Sequence, residues 1–286
     1  MPERSAGLLL LGAAAFAVVS QRADAVRALD SVRAAAPWLI VLALVLPLVN
    51  ILVTSFSFWV QMRRHGRLGA GEMAALIGTA WLLNYLPLRP GMFGRLAYHR
   101  SVNRISIPDS IRAMAIGMAL GAVSVVVVLG IAAAMKPDAG TTGWTAALAA
   151  PALLAVAAML AGARAGWWWF PAVFFFRYAD MLVWVLRYWV VFRLVGAPIG
   201  VPQAAAVAAV CQITLNIPLV GNGLGLREWA VGITVSQLPP GVFNSRGQIE
   251  MSVGLAADLV NRIAELAVAI PTGLLCAAWL ARRERA

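Results

Sequence analysis

The sequence predicts an all-α integral membrane protein with about six full transmembrane helices and two re-entrant broken hairpins arranged as an inverted repeat. Three observations lead there. Hydrophobic residues fill 62% of 286 positions and charged residues 12%, where a soluble domain carries roughly 25% charged residues. Apolar runs long enough to cross a hydrocarbon core of roughly 30 Å recur along the whole chain, without the alternating segments that spanning strands need. Two further apolar segments break into Asn, Pro and Gly where a spanning helix would continue.

The full spans fall at about 6–20, 37–62, 109–135, 144–163, 170–195 and 249–281. The first imitates a signal peptide, but Gln21-Arg22-Ala23-Asp24 follows it instead of a cleavage site, so it reads as a retained helix. Residues 21–36, with Arg22, Arg27 and Arg33 on an Ala/Val/Leu background, suit an interfacial helix. The broken segments are 69–104 and 201–246. Backbone that leaves its helix at membrane depth must be buried in protein or line a polar cavity, so both are expected to enter and leave on one side.

The net charge of +11 comes from 23 basic residues, all Arg except Lys136, against 12 acidic ones. A soluble chain this basic would suggest nucleic acid. Here the arginines lie between apolar runs, so no nucleic-acid partner is expected; the charge orients the protein and meets anionic headgroups. With a cytoplasmic N-terminus and a hairpin at 69–104, three clusters share the cytoplasmic face: Arg63, Arg64 and Arg67; Arg89, Arg95, Arg100 and Arg104; Arg282, Arg283 and Arg285. The loop Lys136-Pro137-Asp138-Ala139-Gly140, without net charge, then faces out.

The same map contains a repeat within one membrane domain, 1–286. Leu83-Asn84-Tyr85-Leu86-Pro87-Leu88 with Gly91 and Gly94 resembles Leu215-Asn216-Ile217-Pro218-Leu219 with Gly221, Gly223 and Gly225. Pro87 and Pro218 are 131 positions apart, as are Gly94 and Gly225. Halves 1–140 and 141–286 each read span, span, hairpin, span. Three crossings per half is odd, so the halves are inverted.

Ionisable residues inside spans are costly and mark functional candidates. Arg177, Asp180 and Arg187 form one polar stripe in the fifth full span; Asp258, Arg262 and Glu265 form another in the last. These stripes either neutralise each other as a buried ion-pair network or wall a polar pathway for a charged headgroup. At the hairpins, Asn84, Arg89, Gly91 and Arg95, with Asn216, Gly223, Gly225, Arg227 and Glu228, are substrate-binding candidates. Glycine lets backbone approach a ligand, helix-start N–H groups attract anions, and guanidinium forks fit phosphate. Tight packing through small residues is the competing explanation.

Trp167-Trp168-Trp169 with Phe170 reads as an interfacial aromatic belt, and Glu72 fits either a helix start or the hairpin. Cys211 and Cys276 read as small apolar fillers. His65 and His99 have no acidic or Cys partner at ligand spacing, so no metal, cofactor, catalytic residue or enzymatic activity is expected.

At the hairpins the chain resembles the lysylphosphatidylglycerol synthase transmembrane, or flippase-like, domain family, over about residues 37–281. Pro87, Arg89, Gly91 and Arg95 match the family's first motif, with Met92 in place of its acid. Pro218, Gly223, Leu224, Gly225 and Glu228 match the second, with Gly221 and Asn222 in place of a proline and a glycine. Arg262 stands where the family carries an arginine in its final span. The resemblance implies movement of an anionic or glycosylated lipid, a phospholipid or a polyprenyl-phosphate-linked one, between leaflets by alternating access. It also suits a bacterial inner-membrane location; the arginine clusters lead to both termini being expected on the cytoplasmic side. Membrane lipids are the implied partners, and a homo-oligomer or a lipid-biosynthetic enzyme is compatible. The rival readings are a transporter of small ions or metabolites and a non-transporting partner of a lipid-modifying enzyme.

Overall fold

The computed structural model describes residues 30–86, 89–135, 140–215, 226–237 and 251–283. The span expected at 6–20, the loop 136–139, Pro87, the stretch 216–225 and Arg285 lie outside them. Among the described residues there are helices and turns and no strand.

Among the described residues, nine helices of twelve residues or more follow in order. They are α1 (Pro37–Met62), α2 (Ala70–Leu83), α3 (Pro90–Ser101), α4 (Ile107–Ala134), α5 (Gly140–Gly162), α6 (Trp169–Leu194), α7 (Val201–Leu215), α8 (Leu226–Gln237) and α9 (Met251–Arg283). Five of them, α1, α4, α5, α6 and α9, are long and apolar enough to cross a membrane. They coincide with the five expected spans beyond residue 30. Their outward residues are apolar too: Leu154, Leu160 and Leu275 are each 70% exposed or more. A water-facing helix would carry charge there.

Local chemistry explains the boundaries. Ser106 caps α4, accepting from the Asp109 amide at 3.2 Å and donating to its carboxylate at 2.6 Å, with Pro108 in the first turn. Arg89 precedes α3 in the left-handed region (φ 49°, ψ 58°), immediately before Pro90. A side chain held there costs about 1 kcal/mol. Arg89→Gly removes that strain whereas Arg89→Ala keeps it. The glycine variant is therefore expected to exceed the alanine variant in stability by about 1 kcal/mol, read from paired thermal melts in detergent.

The chain divides into two compact units. One holds Met1–Pro47 and Trp184–Ala267; the other holds Leu48–Val183 and Val268–Ala286. Helices α1, α6 and α9 each contribute to both. These units group residues that pack together; the halves 1–140 and 141–286 expected from the sequence follow a different criterion, likeness between segments.

In the first unit, α7 presents Ala204, Ala205, Val207, Ala208, Ala209 and Cys211, none more than 1% exposed. Such small residues let helices approach closely where no water drives them together. Helices α8 and α9 meet at two glycines: a Cβ on Gly254 would lie 2.8 Å from the Gly232 Cα.

In the second unit, α2 and α3 form a hairpin. Its ends are tied together: Asn103, after α3, donates to Glu72 in the first turn of α2 at 2.8 Å and to the Arg67 carbonyl at 3.4 Å. Glu72 therefore fills both roles the sequence offered it. It stands at a helix start and also holds the hairpin's return. The core beside it joins Met62, Met73, Leu76, Ile105 and Leu280.

One end of this unit gathers the basic residues. Arg283 pairs with Glu72 at 3.4 Å, His65 and Arg112 approach Asp109 at 3.8 and 3.5 Å, and Trp59 donates to the Leu68 carbonyl at 3.0 Å. Arg63, Arg64 and Arg67 lie there, with Arg100 in the last turn of α3 and Arg104 after it. Arg112, Arg164, Arg282 and Arg283 complete the set. Against these nine stand only Glu72 and Asp109 among the described residues, an excess of seven positive charges.

Candidate functional site

Each unit encloses its own group of ionisable side chains. In the first unit, Arg187 and Tyr188 come from α6, Arg227 and Glu228 from the first turn of α8, and Asp258, Asn261, Arg262 and Glu265 from α9. Asp258, Arg262 and Glu265 recur at four and three residues and Asn261 fits the same face, so the helical period places them on one stripe. Five of these side chains close a ring. The Arg227 Nε donates to Asp258 Oδ2 at 2.9 Å and its Nη1 to Glu265 Oε2 at 3.2 Å. Arg187 donates to the same Glu265 oxygen at 3.0 Å and to Asn261 Oδ1 at 2.9 Å, and Asn261 returns to Asp258 at 3.5 Å. Tyr188 donates to Asp258 at 2.8 Å, and Arg187 lies 4.0 Å over the Trp184 ring. Arg262 pairs with Glu228 beside the ring.

Arg187, Arg227, Asp258 and Glu265 are at most 1% exposed. Desolvating them is tolerable because the charges balance: Arg187, Arg227 and Arg262 against Glu228, Asp258 and Glu265. Arg227 Nη2 and Glu228 Oε2 are nevertheless buried with no hydrogen-bond partner among the described residues.

The second unit holds a different arrangement. Arg95 of α3 and Arg177 of α6 both lie over the ring of Phe58 from α1, at 4.1 and 4.7 Å. Arg177 reaches this place across α4 because residue 117 is glycine; a Cβ there would sit 2.9 Å from Arg177 Nη2. Neither guanidinium forms an ion pair with a described carboxylate, and the Arg177 Nε is buried without an acceptor among the described residues. Asp180 lies near enough to act on Arg177 electrostatically. Its carboxylate, however, accepts from Asn50 at 2.8 Å and Thr54 at 3.2 Å. Two half-buried cations beside one ring thus repel each other, without a bonded counterion among the described residues. This is a place suited to an anion.

The expected stripe Arg177, Asp180, Arg187 is therefore divided: α6 carries Arg187 into the first unit's ring and leaves Arg177 and Asp180 in the second. Of the network expected between the two stripes, the ion pair found is Arg187–Glu265; Arg227 of α8 supplies the cation for Asp258, and Arg262 pairs with Glu228. Gly91 packs against the backbone of Ala80, and Asn84 ends α2. Arg89 is half-buried at the start of α3. Asn216, Gly223 and Gly225 lie outside the described residues. Sequence reasoning passed over Asn50, Thr54, Phe58, Tyr188 and Asn261. Of these, only Asn261 carried a signal, its place on the α9 stripe; the others are uncharged residues whose role depends on what packs against them.

Fold and site together define an all-helical integral membrane protein with ionisable groups buried among its helices. No family model matches the chain, and neither the curated proteins nor the solved structures yield a match.

Proposed function

We propose that this protein is a lipid transporter, a flippase that moves an anionic or glycosylated lipid between leaflets of a bacterial inner membrane. One observation carries the reading: the Arg95–Arg177 pair on Phe58, enclosed by apolar helices and not ion-paired with a described carboxylate. A headgroup phosphate would supply the missing negative charge, and the acyl chains would stay among the apolar outer faces of the helices. Arg89, at the entrance of α3, would add a further cation. In the first unit, Arg227 Nη2 is a buried donor that an incoming acceptor could take.

The inverted-repeat reading draws support from helix lengths. α1 to α4 have 26, 14, 12 and 28 residues, and α6 to α9 have 26, 15, 12 and 33. In this reading the α2–α3 hairpin re-enters from the cytoplasm, α7 and α8 form its counterpart from the other side, and rocking of one half against the other alternates access.

The test is transport in proteoliposomes of labelled phospholipid or polyprenyl phosphate. Wild-type protein is expected to accelerate movement at least about tenfold over protein-free vesicles, and Arg95→Gln/Arg177→Gln to abolish the acceleration. Movement no faster than in empty vesicles sinks the proposal. The Glu228–Arg262 pair separates stability from transport: Glu228→Arg and Arg262→Glu singly are each expected to destabilise, and the double exchange to restore the melting temperature. Transport that stays lost in the restored double variant would assign the pair a role beyond packing.

A further inference from the structure

We propose that the basic end of the second unit holds the headgroup of an anionic phospholipid against Arg63 and Arg64, in the leaflet which that end faces. The site is built from the last turn of α1, the turn after it and the start of α6. Arg63 lies 4.6 Å over the Trp59 ring and 5.8 Å from the Trp168 ring, and Arg64 lies 4.0 Å over Trp169. Stacking engages the flat face of a guanidinium and leaves its N–H donors, which lie in the plane, for another partner. The protein supplies none: among the described residues, neither side chain forms a hydrogen bond or ion pair. The two nearby carboxylates are engaged elsewhere, Glu72 with Asn103 and Arg283, Asp109 with Ser106, His65 and Arg112.

Both arginines are exposed, so the donors are open to a ligand from outside the protein. The indoles hold them in place in advance, which reduces the entropy lost on binding. The excess of seven positive charges selects an anion. The neighbouring Trp167 and Phe170, 46% and 48% exposed, select a lipid: amphipathic rings settle at the boundary between acyl chains and headgroups, where the phosphate of a bilayer lipid also lies. A soluble anion would use the charge but would leave the exposed rings uncovered. This site is separate from the Arg95–Arg177 pair and does not rest on the transport reading. Binding can hold where movement fails, and the reverse.

The experiment titrates delipidated full-length protein with dioleoylphosphatidylglycerol or dioleoylphosphatidylcholine and counts bound lipid by native mass spectrometry. Wild-type protein is expected to prefer the anionic lipid roughly tenfold. Arg63→Gln/Arg64→Gln should reduce that preference to within about twofold, whereas Arg282→Gln/Arg283→Gln, which removes the same charge from the same end without touching the contacts to Trp59, Trp168 and Trp169, should retain it. Trp168→Leu/Trp169→Leu keeps both charges, removes two of the platforms and is expected to weaken the preference as well. Inorganic phosphate at matched concentration should not displace the lipid. An unchanged preference in Arg63→Gln/Arg64→Gln overturns the proposal. So does an equal loss in both arginine pairs, which would mean diffuse attraction, and so does displacement by free phosphate.

Discussion

Arg227→Ala should be the most damaging single substitution in the first unit, with a loss of about 3–5 kcal/mol. The guanidinium bonds both Asp258 and Glu265, and all three side chains are at most 1% exposed. Its removal leaves two carboxylates in a low-dielectric interior, where Arg187, Tyr188 and Asn261 still bond them but their charge exceeds that of the remaining cation. The loss follows from the uncompensated charge more than from the missing bonds. Asp258→Asn added to Arg227→Ala removes one of those charges, and Glu265→Gln added as well removes the second. Thermal melts in detergent should therefore recover stepwise from single to double to triple variant. A triple variant no more stable than Arg227→Ala alone would mean that side-chain volume, and not charge balance, is what the interior requires.

Gly91→Val is expected to cost about 3 kcal/mol by opening the α2–α3 hairpin. A Cβ at residue 91 would lie 2.7 Å from the Ala80 Cα and 2.8 Å from its carbonyl carbon. These are backbone atoms, so no rotamer change relieves the overlap, and Ala80→Gly should not rescue it. Opening the hairpin would also displace Arg95, one turn further along α3, from the ring of Phe58. Arg95→Gln should leave the melt close to wild type while removing transport, whereas Gly91→Val should impair both. Gly94 offers the control within the same motif. A Cβ there meets nothing within 4 Å, so Gly94→Ala is expected to be close to neutral.

The two glycines differ in a way the sequence could not express. Both stand in the same motif, yet only Gly91 faces the partner helix. Spacing along a chain identifies a break, but the facing residue that makes glycine obligatory is set by how the hairpin closes. The same limit applies to the charges. Arg177, Asp180 and Arg187 share a stripe on α6, and helical periodicity places them together correctly as a local matter. Their partners then divide them: Asn50 and Thr54 take Asp180, Phe58 takes Arg177, and Asn261 and Glu265 take Arg187.

By itself the sequence determined the long apolar helices, the two interrupted segments between them and the clustering of arginine at their ends. Those features are set by short-range energetics: the cost of placing unpaired amides and charges in hydrocarbon is large for every residue and acts wherever that residue packs. Tertiary structure alone decided which buried cation has a carboxylate partner and which does not. Arg227 and Arg95 are both arginines on a short helix of twelve residues, Arg227 in the first turn of α8 and Arg95 midway along α3. One closes a neutral ring with Asp258 and Glu265, and the other shares an aromatic ring with Arg177. That distinction arises from contacts between helices far apart in the chain, which local hydrophobicity and spacing do not encode.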